Sequence, residues 1–281
     1  MHGLFTNDAD GKKVIHKTDA EIEKMRASNL VVSKTLAYVA SLLKPGITGE
    51  SVDKAAEEFI CDHNGRPAFK GYNGFPFSLC MSPNDVVVHG FPSKREFLET
   101  DIVSIDCGVE LDGFFGDSAY TFAFMQVEET VMELLRVTNT SLYKGIEQAV
   151  AGKRLEDISF AIQNYTEREN GYGVVRELVG HGIGRSLHED PEVPNYGRRG
   201  KGILMHEGLV LAIEPMINMG RKEVFQANDG WTIITRDRKP SAHYEHSVAI
   251  RKNKADILSD HSYLNEAIKN NPSLKEISLK S

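Results

Sequence analysis

From Thr18 onward, two kinds of apolar spacing alternate along the chain in a definite order. Thr18-Asp19-Ala20-Glu21 reads as a capping box, and the residues after it keep helical spacing to about Leu43, where Pro45-Gly46 stops them. Thr48 caps a second predicted helix that closes at Asn64-Gly65, a pair suited to left-handed backbone. Short apolar runs then predict strands over residues 78–81 and 86–89, followed by a hairpin that begins at Ile102. From Glu128 the order repeats. A helix to about Val150, a break at Gly152 and a helix from Leu155 to Asn170-Gly171 lead into strands near 174–179, 209–214, 231–235 and 243–250. Gly46 and Gly152 are 106 residues apart, and so are Asn64-Gly65 and Asn170-Gly171. Helix-helix-strands occurring twice predicts an internal duplication: two α+β halves packed as one domain, with a site where their sheets meet. Residues 1–16 read as a flexible arm and residues 253–281 as a polar tail with one helix near 264–270.

The hairpin, Ile102 to Phe122, is the stretch the rest is organised around. Asp112-Gly113 is a two-residue turn signal, since both positions accept positive φ. With those two residues as the loop, Asp117 pairs opposite Gly108, and Asp106 becomes its diagonal neighbour on the same face. A three-residue loop puts the two acids on opposite faces. Two carboxylates that close repel unless a proton or a cation lies between them. The plainer reading is a solvated hairpin with surface acids.

Composition narrows the classes. The chain has 281 residues, 41% of them apolar, enough for one large core. A net charge of -7 argues against nucleic acid as a partner. No apolar run is long enough to span a membrane, and the first residues lack the apolar core of a signal peptide, so no membrane partner is expected. Cys61, Cys80 and Cys107 are an odd number without a CxxC pair, which fits reduced thiols in the cytoplasm.

Three further segments place ionisable residues in apolar or glycine-rich settings. Gly180-His181-Gly182-Ile183-Gly184 is followed by His188, Leu209-Val210-Leu211-Ala212-Ile213 ends in Glu214-Pro215, and Ala242 to Ile250 reads as one strand with Glu245 in its middle. A carboxylate inside an apolar strand is costly unless paired or coordinated. Each residue has a bland explanation: His181 as a core histidine, Glu214 as a helix cap, Glu245 as the partner of Arg251. Taken together, Asp106, Asp117, His181, Glu214 and Glu245 form one ligand set for two divalent ions, two of them bridging and three terminal.

The blocks Asn84-Asp85-Val86-Val87-Val88-His89-Gly90, Ile105-Asp106 to Gly116-Asp117, Gly180 to His188-Glu189, Ile213-Glu214-Pro215-Met216 and Tyr244-Glu245-His246 resemble the signature of the methionine aminopeptidases, in order from about Thr18 to Arg251. Only 30 residues separate Glu214 from Glu245, too few for the inserted subdomain of type II enzymes. No Cys/His zinc-finger extension precedes the domain, so the chain is similar to bacterial type I members of the M24 metallopeptidases. The resemblance implies the α/β "pita-bread" fold, with two pseudo-symmetric halves and a curved antiparallel sheet, as a single catalytic domain over residues 17–252. It implies that Asp106 chelates one metal, His181 and Glu214 the other, and that Asp117 and Glu245 bridge both. His89 and His188 would contact the substrate at the scissile peptide, while Asn84, Val86 and Ser241 match positions that hold a monovalent cation, Na or K, in some relatives.

The reaction implied is metal-dependent hydrolysis of the N-terminal initiator methionine from nascent proteins and peptides, through a metal-bridged water, with Glu214 shuttling its proton. Two divalent ions are expected as cofactors, and the O/N ligand set accepts Co, Mn, Fe, Zn or Ni. Tyr72, Phe75, Cys80 and Trp231 read as the methionine pocket, soft or apolar groups suited to a thioether. Phe75 and Leu187 depart from the Tyr and Phe common in the family, and Trp231 could equally serve the core. The glycines around His181 are expected to leave little room for the second substrate residue. Further implications are action as a monomer, in the cytoplasm, with the ribosome as a partner. The alternatives are a proline-specific peptidase of the same fold, which usually has an extra N-terminal domain, and a metal-free binding protein, which would be expected to lose ligands.

Overall fold

Thr18 accepts a hydrogen bond from the Glu21 N–H, and the Glu21 carboxylate accepts one from the Thr18 N–H; this reciprocal cap starts α1 (Asp19–Leu42). The structure is a computed structural model and describes residues 5–7 and 13–279. The Thr48 hydroxyl caps α2 (Gly49–Asp62), which ends on left-handed Asn64 with φ 60°. Asp53 of α2 accepts the Ser78 and Leu79 N–H groups at 3.0 and 2.8 Å, fixing the start of the strand Leu79–Pro83.

The hairpin has the two-residue loop. Asp112 and Gly113 take φ 51° and 77°, and strands Ile102–Leu111 and Phe114–Ala123 pair so that Gly108 faces Asp117 and Asp106 faces Ala119. Asp106 also pairs with Cys80 on the neighbouring strand Leu79–Pro83, so the strand Ile102–Leu111 is the centre of a four-stranded sheet. α1 lies across that sheet, with Ser28 Oγ donating to the Phe114 carbonyl at 2.9 Å.

The second half repeats the first with one difference. Gly152 has φ 89°, against 85° at Gly46, and α4 (Leu155–Gln163) starts 106 residues after α2. α3 (Glu129–Ile146) stops short of the expected Val150, because residues after Ile146 close tighter turns, with Gln148 N–H bonded to the Gly145 carbonyl and Ala149 N–H to that of Ile146. α4 runs into a π turn, Asn164–Glu169, and the left-handed residue falls at Gly171, one position later than the 106-residue spacing sets from Asn64. The extra residue of a π turn accounts for that shift. One apolar core runs through both halves, from Val32 and Leu36 of α1 to Leu134 of α3 and Leu211 and Val248 of the second sheet.

The expected strand over 243–250 is two strands. Ser241–His243 pairs with Met216–Asn218, and His246–Ala249 pairs with Val210–Ile213, in one continuous register. The ladder opens between them, so Glu214 stands opposite Glu245 and Pro215 opposite Tyr244. Pro215 has no N–H to give. The Glu245 N–H turns away to the Ala119 carbonyl at 2.9 Å, and the Glu245 carbonyl accepts Ser118 Oγ at 2.7 Å. These two bonds join the opening to the hairpin strand that carries Asp117.

Regular elements also form among the described residues near both ends of the chain. In the arm expected to be flexible, Phe5–Asn7 pairs antiparallel with Lys13–Ile15, and Val14 is buried; residues 1–4 and 8–12 lie outside the described residues. The tail adds strand Asp256–Ile257 to His246–Ala249 and docks α5 (Ser262–Lys269) through buried Leu264 and Ile268. Asn271 Nδ2 donates to the carbonyls of Ala40 and Leu43 at the end of α1, and Asp260 N–H donates to Ser33 Oγ.

Gly180 sits where strands touch: a Cβ there would come 2.3 Å from the Ala212 carbonyl oxygen. Backbone cannot yield as a flexible side chain can, so Gly180→Ala is expected to lower stability by about 1–3 kcal/mol, as overpacking typically does, read as a lower urea midpoint with unchanged slope. An unchanged midpoint would show that the strand can shift freely.

Candidate metal centre

Five segments deliver ionisable side chains to one cavity of about 370 Å³, lined among others by Asp106, Asp117, His181, Glu214 and Glu245. The hairpin register brings Asp106 and Asp117 to one face, the opening at Pro215 and Tyr244 releases Glu214 and Glu245 from their strands, and His181 projects from Gly180–Gly182 beside Ala212. One ligand atom from each of Asp117, His181 and Glu245 lies within 4.8 Å of the others. His181 Nε2 is 3.6 Å from Glu214 Oε1 and 4.0 Å from Asp117 Oδ2. His181 Nδ1 lies 2.8 Å from the Gly182 carbonyl, which holds the proton on Nδ1 and leaves the Nε2 lone pair aimed at the acids.

The electrostatics of this group favour bound protons or a bound cation. Burial, with the nearby Glu214 charge adding to it, raises Asp106 to about 7 even though His243 opposes the shift. Burial raises Glu214 to about 8, and burial plus neighbouring carboxylates hold Asp117 and Glu245 far above their usual range. Asp106 Oδ1, Asp117 Oδ1 and Glu245 Oε1 are buried without hydrogen-bond partners. Among the described residues no lysine or arginine pairs with any of the four; Arg251, the alternative partner for Glu245, is bound to Asp19 and Asp256. Orphaned buried oxygens beside an imidazole lone pair are a donor set that fits divalent metal.

The remaining expected residues line the same cavity: His89, His188, Tyr72, Phe75, Cys80, Trp231 and Leu187. Trp231 packs edge-on to Phe75 with ring centres 5.1 Å apart, so it serves both wall and core. Tyr72 does more than line the pocket, since its hydroxyl is 2.7 Å from His188 Nδ1. With Tyr72 donating, the His188 proton sits on Nε2, 4.2 Å between ring centres from His181. Burial keeps His89 neutral, lowered to about 4, and lowers His181 to about 3. Gly180 and Gly182 allow close backbone approach to Ala212 and Asp190, and Leu178 and Val179 are among the side chains that line the cavity. Asn84 and Ser241 meet outside this cavity, where the Asn84 carbonyl accepts the Ser241 N–H at 2.9 Å, with Val86 next in the strand Val86–Val88.

Sequence reasoning passed over His243. It is buried behind Glu214, with Nε2 3.4 Å from Glu214 Oε2. Its place two residues before Glu245 was the available signal. Met216, directly after Glu214-Pro215, also lines the cavity.

An open α/β sheet structure whose buried acids and imidazole suit divalent metal defines a metallohydrolase class. The profile of Metallopeptidase family M24 matches residues 23–252, and the chain belongs to that family. It is 51% identical over 246 residues to a methionine aminopeptidase of Clostridium perfringens, covering 88% of this chain and 98% of that protein. Among solved structures, methionine aminopeptidase from Thermotoga maritima superposes with a TM-score of 0.86 at 42% identity over 88% of this chain and 99% of that one. The enzyme from Rickettsia prowazekii gives 0.86 at 40% identity over 88% of this chain and 100% of that one. The fold is the pita-bread fold expected from the sequence.

A pH dependence follows for the metal-free protein. Asp117 has a higher pKa folded than unfolded, where 3.8 is the ordinary value, so the folded state binds the extra proton. The stability it contributes is present at low pH and falls as pH rises above about 4. Metal-free Asp117→Asn is therefore expected to gain stability relative to wild type between about pH 5 and pH 8 in urea unfolding, and added Mn(II) to reverse the order at the higher pH. A gap that stays constant over that range would mean Asp117 is not held protonated.

Proposed function

We propose that this protein is an aminopeptidase that removes the N-terminal methionine from peptides and nascent proteins, with two divalent ions held by Asp106, Asp117, His181, Glu214 and Glu245. The observation that carries this reading is a buried group of four carboxylates and one imidazole lining the same cavity as the apolar side chains Phe75, Cys80, Leu187 and Trp231. Identity of 51% and 46% to methionine aminopeptidases of C. perfringens and Bacillus subtilis supports it. Divalent metal supplies Lewis acidity at such a site, lowering the pKa of water toward neutrality and polarising a carbonyl.

The chain's own residues do the rest. Phe75, Cys80, Leu187 and Trp231 receive the methionine side chain, and the thioether suits their soft, apolar surface. The free α-amino group lies toward Asp106, which limits cleavage to the first residue. His188, with its proton on Nε2, donates to the scissile carbonyl oxygen as charge develops there. His89, kept neutral, holds the peptide nitrogen. Glu214, lining the same cavity, takes the proton of the attacking water and passes it to the leaving amine. Leu178 and Val179 crowd the position of the second residue and favour a small one there.

Which metal serves follows from supply, since this ligand set accepts Co, Mn, Fe, Zn or Ni. Asn84, Val86 and Ser241 are the place for an accessory Na or K ion. The same reading has the protein act as a monomer on chains leaving the ribosome, in a cytoplasm where its three free cysteines stay reduced. No described helix is long and apolar enough to cross a membrane.

The test is hydrolysis of Met-Ala-Ser by EDTA-stripped protein before and after adding Mn(II), Co(II) or Fe(II), with Met-Lys and Ala-Pro peptides in parallel. Metal-restored release of methionine from Met-Ala-Ser alone is expected; cleavage of Ala-Pro alone would move the activity to proline-specific peptidases. Glu214→Gln should lower turnover by about 10²–10⁴. His181→Ala should lower both turnover and bound metal, and wild-type rates in either variant would overturn the assignment.

A further inference from the structure

His243 is fully buried, yet its Nε2 makes no hydrogen bond. A buried ring nitrogen left unpaired costs the desolvation of that group, about 1–3 kcal/mol, so its surroundings should explain it. The carboxylate it faces is Glu214, with Oε2 3.4 Å away. A shift of a few tenths of an ångström makes this a hydrogen bond of ordinary length. The other oxygen of the same carboxylate, Oε1, faces His181 Nε2 at 3.6 Å. Glu214 is thus held between two imidazoles that do different things: His181 presents a lone pair, and His243 has a nitrogen free to donate.

The backbone of His243 is fixed more firmly than its neighbours require. Its N–H donates to Thr121 Oγ1 at 3.0 Å, and Thr121 Oγ1 donates to its carbonyl at 2.7 Å. Thr121 Oγ1 is also 2.8 Å from Ser104 Oγ, across the hairpin. His243 pairs with Met216 across the ladder, directly beside the opening from which Glu214 emerges.

We propose that His243 is a positioning residue for Glu214: with its proton on Nε2 it donates to Glu214 Oε2, which fixes the carboxylate plane and leaves Oε1 for the metal side of the cavity. A carboxylate that must both ligate metal and carry a proton needs its two oxygens distinguished, and a donor on one of them does that. The inference rests on the role given to Glu214 above.

The experiment compares His243→Gln and His243→Met with wild type and Glu214→Gln, measuring Mn(II) affinity and stoichiometry of the stripped proteins by titration calorimetry, and kcat and KM on Met-Ala-Ser. Gln and Met are close in size, but only Gln has an N–H to donate. His243→Met should bind Mn(II) about 10–100-fold more weakly and lose kcat by a similar factor at little-changed KM, as for the loss of an outer-shell partner, while His243→Gln keeps most of both. Equal losses in the two variants, or wild-type affinity and kcat in His243→Met, would overturn the proposal. If His243→Met does not fold, as judged by circular dichroism, His243→Gln decides: a loss as large as that predicted for Met overturns the proposal, and retention supports it. If instead Glu214→Gln matches wild type in affinity and rate, the assignment of Glu214 fails, and that result is distinct from a failure at His243 alone.

Discussion

Four carboxylates from four strand segments share one buried space without a lysine or arginine among them, and the rest of the molecule is arranged to tolerate that. Each carboxylate in isolation would leave the site by rotating toward water. Here none can, because Asp106 and Asp117 are fixed by a ten-residue pairing on each strand of the hairpin and Glu245 by its backbone bonds to Ala119 and Ser118. Burial raises all four carboxyls above their usual range, and neighbouring carboxylates add to it for Asp106, Asp117 and Glu245, so the metal-free group favours bound protons. A doubly charged ion answers the repulsion better, since it meets several oxygens at once.

The means of delivery is an opening in a ladder. Residues directly opposite each other in an antiparallel pair project from the same face, so Glu214 and Glu245 face the same space. Pro215 removes one donor, the Glu245 N–H crosses to another strand, and the ladder resumes in the same register beyond the gap. Two acids therefore leave the sheet without the sheet losing its order. The same opening places His243 behind Glu214.

The chain ends show how packing overrules composition. Residues 253–281 are mostly polar, yet Leu258, Leu264, Ile268 and Leu274 are buried, and His261 bonds to Ser118, the residue after Asp117. At the other end Lys17 is buried against Glu189 at 2.7 Å, tying the entry of α1 to the loop that carries His188. Burying such a pair gives little net stability, but breaking it by removing one partner is costly, so its use here is to hold the loop in one place.

Much of this was legible from residue order alone. Caps at Thr18 and Thr48, the breaks at Gly46 and Gly152, and the Asp112-Gly113 turn act within a few residues, and each of them fixed a helix start or a register. Register then fixed Asp106 and Asp117 on one face, because side chains alternate with a period of two. The types of ligand were also legible, since acids inside apolar runs have few uses. The sequence could not tell that the strand around Glu245 is broken, that His181's glycines serve strand contact, or that the polar tail is docked. Nor did it single out His243. Those features depend on which segments meet across 30 to more than 100 residues of chain: His243 with Glu214, Glu245 with Ala119, His261 with Ser118. Local spacing determined the elements and the chemistry they carry; only the tertiary pairing decided which oxygen faces which nitrogen, because that is set by contacts no short stretch of chain contains.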